Sequence, residues 1–245
     1  MKLASVSIDR RFRGPPDSGN GGYVVGLLAR FAPEPVAVRL LVPPPLDAAL
    51  EVLATDGGGL ELVHGERRIA TAAPDAVELK VPAAPGPAAA RAASARYAGF
   101  RDHPFPGCFV CGPGRAAGDG LRVFAGPLEG GAQVASPWQP DESLGGTRGR
   151  VRPEFLAAAL DCPGYFAVAD GSPMMLLGSM ALRIEGSVAV GEPCVVLGWS
   201  LGISGRKRRA ATAVYGADGE CVARAVSVWV ELKPGNAVGQ GAPGA

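Results

Sequence analysis

Histidine is the scarcest reactive group in this chain: His64 and His103 are the only two among 245 residues. No HxxxH pair is therefore available to hold a metal. An excess of either charge is also missing. The 24 Lys and Arg against 23 Asp and Glu leave a net charge of +1, and aromatic residues make up only 6%. That balance gives no general attraction to nucleic acid or to an anionic membrane, and no basic stretch is interleaved with aromatics. The five cysteines are scattered and odd in number, which argues against a disulfide framework. No apolar run approaches the length of a membrane span. The first residues, MKLASVSIDRRFRG, lack the apolar core of a signal peptide. The expectation is a soluble, cytoplasmic protein.

What is present is core-forming material and punctuation. Hydrophobic residues reach 47% and charged residues only 19%, too few charges for a disordered chain. Gly 36 and Pro 23 sit largely between apolar runs, the pattern of many short strands and turns. Strand-like runs cover 35–43, 48–56, 60–66 and 67–74, and again 121–127, 132–138, 176–186, 194–204, 208–218 and 221–232. GADGE at 216–220 is a hairpin signal. Helices are expected at about 22–31 and 153–168. The Ala- and Pro-rich stretch VPAAPGPAAARAASARYAGF reads as a connector, partly helical after Pro87.

One helix and a run of antiparallel strands thus occur twice, an α+β pattern. VRLLVPPPLDAALEV (38–52) and LRIEGSVAVGEPCVV (182–196) are matching strand–turn–strand pieces. The division is an N-terminal half over 1–80, a connector over 81–103 and a C-terminal half over 104–233. A disordered tail is expected over 234–245.

The helix entry SGNGGYVVGLLARF places Gly21 and Gly22, poor helix formers, where a helix begins. A helix N-terminus carries unpaired N–H groups and a positive dipole end. Glycine lets a ligand approach them closely.

Three pieces resemble the hotdog-fold acyl-CoA thioesterases. GCFVCGPGRAAGDGLRVF (107–124) is similar to the CxxCG…GL opening of many single hotdog domains. GRKRRAATAVYGADGECVARAVSVWV (205–230) is similar to the family's closing strands. The helix entries are similar to its HGG…LxD helix, in which an acid follows the histidine by nine residues. The resemblance implies a double hotdog: two long helices, each wrapped by an antiparallel sheet, packed as a pseudo-dimer.

It also implies a division of labour. In the first half, Asn20-Gly21-Gly22 replaces HGG, and Ala29 stands where the acid belongs. In the second half, Arg152-Pro153-Glu154 lacks the glycines, but Asp161 stands nine residues on. Pro153 has no N–H to donate. Thioesterase dimers of this type combine a glycine N–H from one subunit with a carboxylate from the other. By that resemblance, Gly21 N–H would hold a thioester carbonyl oxygen, with Gly22 beside the substrate. Asp161 would act as base or nucleophile. Asn20 either caps the helix or orients a substrate group. Asp17 and Glu154 are fallback acids near helix starts.

Acyl-CoA or a related thioester is the implied partner, with coenzyme A entering only as part of the substrate and no other cofactor. The basic run Arg206, Lys207, Arg208 and Arg209 is either a solvated strand end or a contact for coenzyme A phosphates. Strand alternation lets Arg206 with Arg208, or Lys207 with Arg209, face one ligand. Cys108 and Cys111 form a CxxC near His103, one ligand short of the usual four for zinc, so no metal is expected. Met174 and Met175 read as core or acyl-pocket lining. A hotdog hydratase would need a histidine with an acid, and neither histidine stands at a helix entry. A non-catalytic module for acyl-CoA or another apolar ligand is the alternative. A homodimer through the sheet edges is a further expectation.

Overall fold

The computed structural model describes residues 1–32, 35–171 and 174–233; the tail expected over 234–245 lies outside them. The strands are β1 (Lys2–Val6), β2 (Val36–Leu40), β3 (Leu50–Ala54), β4 (Leu60–His64), β5 (Arg67–Pro74), β6 (Gly126–Pro127), β7 (Gln133–Trp138), β8 (Met175–Ile184), β9 (Cys194–Ser204), β10 (Lys207–Tyr215) and β11 (Cys221–Glu231). The helices are α1 (Gly21–Ala29), α2 (Pro87–Ser94), α3 (Pro153–Ala159) and α4 (Cys162–Val168). The strands form one sheet in the order β1-β3-β4-β5-β2-β8-β11-β10-β9-β7-β6. Every neighbouring pair in it is antiparallel.

The join is β2 against β8, with Val36 opposite Leu182 and Arg39 opposite Ser179. Outward from that join the first half reads β2, β5, β4, β3, β1. The second reads β8, β11, β10, β9, β7, with β6 beyond it. Both halves therefore run strand, helix, junction strand and then three more strands. The sequence reading missed β1. It also expected a strand over 121–127, where only Gly126–Pro127 pairs in the sheet. Leu121 and Val123 instead donate their N–H groups to the carbonyls of Phe109 and Val110, at 2.8 and 2.9 Å.

Helix α1 is buried from Gly22 to Leu28. It has no polar face because it lies between the sheet and α3. The two helices run antiparallel: Gly22 approaches Asp161 and Ala157, Gly26 approaches Ala157 and Glu154, and Arg30 pairs with Glu154. A Cβ on Gly26 would stand 2.6 Å from both Ala157 Cβ and Glu154 Cα, so glycine sets the closeness of the crossing.

The single helix expected over 153–168 is broken at Asp161. Pro163 has no N–H for the carbonyl of Ala159. Gly164 N–H bonds to Asp161 O at 2.9 Å rather than one residue further back. The freed carbonyl of Leu160 accepts from the buried Thr212 hydroxyl on β10, at 2.8 Å. Asp161 takes φ −74°, ψ −79°, which turns the chain into α4 and holds its side chain toward α1.

Overpacking this crossing should destabilise the fold. We expect Gly26→Val to cost about 1–3 kcal/mol, read as a lower urea midpoint with an unchanged m-value.

Candidate active site

Asp161 is 3% exposed. Its Oδ2 accepts from the Gly22 N–H at 3.1 Å and from Asn20 Nδ2 at 2.6 Å. Its Oδ1 has no partner among the described residues. Burial pushes the carboxyl up to about 7, against the stabilising donors Gly22 and Asn20. Asn20 also caps α1, its Oδ1 accepting from Tyr23 N–H at 2.9 Å. One side chain thus starts the first half's helix and grips the second half's acid.

The adjacent glycines have separate packing reasons. A Cβ on Gly22 would lie 2.6 Å from Asp161 Cβ and 2.8 Å from Ala157 O. One on Gly21 would lie 2.7 Å from a Leu177 methyl. The N–H bonded to the carboxylate is that of Gly22, whereas sequence reasoning singled out Gly21. Among the described residues the Gly21 N–H has no acceptor.

Asn20, Gly21 and Asp161 line a cavity of about 1080 Å³. Its apolar wall includes Leu40, Val42, Phe105, Phe166, Leu177 and Trp229, and Met175 also lines it. Arg206 and Lys233 line it as well. Of the basic run, Arg206 alone borders this cavity. Lys207 is exposed elsewhere, and Arg208 is held by Glu231 at 2.8 Å and Asp170 at 2.6 Å. Gly22, Lys207 and Arg208, all read as substrate contacts, are not among the lining residues. Asp17 lines the cavity. Glu154 does not: it is 1% exposed and pairs with Arg30 at 3.2 Å and Arg152 at 3.6 Å, at the opposite end of the helix crossing.

His103 lines the cavity, contrary to its unpromising position in sequence, yet it is turned away from Asp161 chemistry. Its Nδ1 accepts from Phe105 N–H at 2.9 Å, and its Nε2 lies 3.3 Å from Cys111 Sγ. The grouping sequence reasoning missed is Cys162 with Cys108 and Cys111. All three are buried, with their sulfurs within 4.8 Å of one another. Adjacency to Asp161 was the only local hint.

With this geometry in hand, the architecture is identified as the hotdog fold. A hot-dog-fold protein of unknown function from Alicyclobacillus acidocaldarius aligns at TM-score 0.60 and 12% identity, covering 96% of both chains. A candidate thioesterase II from Thermobifida fusca aligns at 0.60 and 15%, covering 94% of this chain and 96% of that one. The tesB protein of Mycobacterium avium subs paratuberculosis aligns at 0.56 and 16%, covering 86% of each. The sequence matches no known family model and no curated protein sequence.

Asn20 tests the coupling of cap and acid. We expect Asn20→Ala to cost about 2 kcal/mol, from the lost cap and the lost donor to a buried carboxylate. Asn20→Asp keeps the capping oxygen but sets carboxylate against carboxylate. Urea denaturation at neutral pH should find it at least as destabilising as the alanine variant.

Proposed function

We propose that this protein hydrolyses an acyl-CoA-type thioester at one composite site per chain, formed where two hotdog units pack as a pseudo-dimer. The matching strand order of the halves supports the pseudo-dimer. One observation carries the site. The buried carboxylate of Asp161, from the second half, accepts from Asn20 and Gly22 at the start of α1 in the first, and Gly21, whose N–H has no acceptor among the described residues, lines the same cavity.

The chemistry follows from those parts. The thioester carbonyl oxygen sits at the α1 N-terminus, where Gly21 N–H and the helix dipole stabilise its developing charge. Asp161 takes a proton from a water that adds to the carbonyl carbon. The C–S bond then breaks, the proton passes to the departing thiolate, and an acid and a thiol leave. The acyl chain lies along the apolar wall, and Arg206 with Lys233 meets the anionic end of the carrier.

The reciprocal end of the helix pair holds no second site. Pro153 has no N–H there, Ala29 supplies no acid, and Glu154 is locked between Arg30 and Arg152. The alternative, a binding module without turnover, draws on the two donors already committed to Asp161 Oδ2.

A thiol-release assay across acyl-CoA chain lengths separates the two. We expect turnover by the wild type and a loss of about 10²–10⁴-fold in Asp161→Asn, with acyl-CoA binding retained. Tight binding without thiol release at any chain length would leave the module reading. Arg206→Ala should raise KM for acyl-CoA but not for the same acyl group on a thioester lacking the nucleotide, and the difference should shrink in high salt.

A further inference from the structure

The turn carrying Cys108 and Cys111 is built tightly. Cys108 N–H bonds to Phe105 O at 2.8 Å, and Gly112 N–H to Cys108 O at 3.0 Å. A Cβ on Gly112 would stand 2.5 Å from both Cys108 O and Pro106 O, so the turn closes only with glycine there. N–H donors converge on its sulfurs. Asn20 Nδ2 lies 4.0 Å from Cys108 Sγ. His103 Nδ1 accepts from Phe105, which leaves the ring proton on Nε2, pointed at Cys111 Sγ.

Opposite the turn, the break at Asp161 starts α4 with Cys162. Its Sγ is 3.8 Å from that of Cys108. This is far beyond the ≈2.05 Å of a disulfide. It equals the separation of about 3.8 Å between two sulfurs on a tetrahedral zinc with Zn–S near 2.3 Å. Three cysteines packed as plain small hydrophobes would need no such set of donors.

We propose that Cys108, Cys111 and Cys162 bind a thiophilic divalent cation of the zinc class through three thiolates, with the fourth position open to a ligand from the cavity. The three sulfurs, all within 4.8 Å of one another, would take one face of a tetrahedron around the ion. His103, whose Nδ1 is committed to Phe105, stabilises the Cys111 thiolate through its Nε2–H and is not the fourth ligand. All three cysteines line the cavity, and a three-ligand site with an open position is the arrangement of reactive rather than purely structural zinc. The proposal departs from the sequence expectation of no metal, because the third ligand is 51 positions beyond the CxxC and only folding delivers it. It stands whether or not the protein hydrolyses thioesters.

The test uses the full chain, reduced, equilibrated with zinc or cobalt(II) and freed of excess ion. Elemental analysis should find about one zinc per chain. The cobalt form should show thiolate-to-metal charge transfer and the intense visible bands of four-coordination. Cys108→Ser and Cys162→Ser should lose the ion, while Cys194→Ser, outside the cluster, should keep it. His103→Gln should weaken zinc affinity about 10–100-fold without abolishing it. Should the serine variants fail to fold, the cobalt spectrum of the folded wild type decides. Folded wild type that takes up less than roughly a tenth of an equivalent of either ion overturns the proposal. So does full retention by folded Cys108→Ser or Cys162→Ser.

Discussion

The contact on which this structure hangs is the carboxylate of Asp161 against the first turn of α1. A buried carboxylate is costly unless it is hydrogen-bonded, and here the donors are the Gly22 N–H and the Asn20 amide. Each requirement of that contact reaches further into the fold. Glycine at position 22 is needed because any side chain would strike Asp161 itself. The helix must break at Asp161 to present the acid, and Pro163 supplies the break. The carbonyl freed by the break is satisfied by Thr212, which ties the break to the centre of the second half's strands. Sheet, helix break, acid and helix start form one chain of dependence.

The antiparallel helix pair has two ends, and they differ. One end joins Asn20, Gly22 and Asp161 beside a cavity. The other joins Arg30, Arg152 and Glu154 in an ion-pair cluster. Both ends place a buried carboxylate at a helix start, Asp161 against α1 and Glu154 in the first turn of α3. They differ in what compensates the charge: amide donors at one, guanidinium groups at the other. The two ends of one helix crossing therefore carry different chemistry.

The cysteine turn is seated by aromatic packing. Phe12 stacks on Tyr23 of α1 at 4.4 Å between centroids, and Phe109 of the turn meets Phe12 edge-on at 5.0 Å. Phe155 of α3 completes the cluster, 5.9 Å from Phe109. Phe109 N–H bonds to Arg13 O at 2.8 Å. The turn is thereby fixed over the α1 N-terminus, which explains how Asn20 comes to touch both Asp161 and the neighbourhood of Cys108. The acid and the thiols share a wall of the cavity because α4 begins one residue after Asp161.

Much of the fold was legible in the residues alone. Alternating β-branched runs bounded by Gly and Pro marked most strands, because a half-buried strand must alternate and a turn needs those residues. Pro87 and GADGE marked a helix start and a hairpin for equally local reasons. The pairing of Asn20 and Gly21 with Asp161 as a candidate site came from the resemblance of the two helix entries to the hotdog HGG…LxD helix, and not from local pattern alone. Other features belong to the tertiary structure. The break at Asp161 needs Thr212 on a distant strand to receive the freed carbonyl. The choice of Gly22 over Gly21 as the bonded N–H depends on the angle at which two helices cross. Arg208 is withdrawn from the cavity by Asp170 and Glu231, which lie far from it in sequence. Cys162 joins Cys108 and Cys111 only because α4 packs against the turn. Sequence determined each element's periodicity and punctuation, since those act over a few residues; the meeting of side chains 23 to 141 residues apart is decided by packing, which local pattern does not encode.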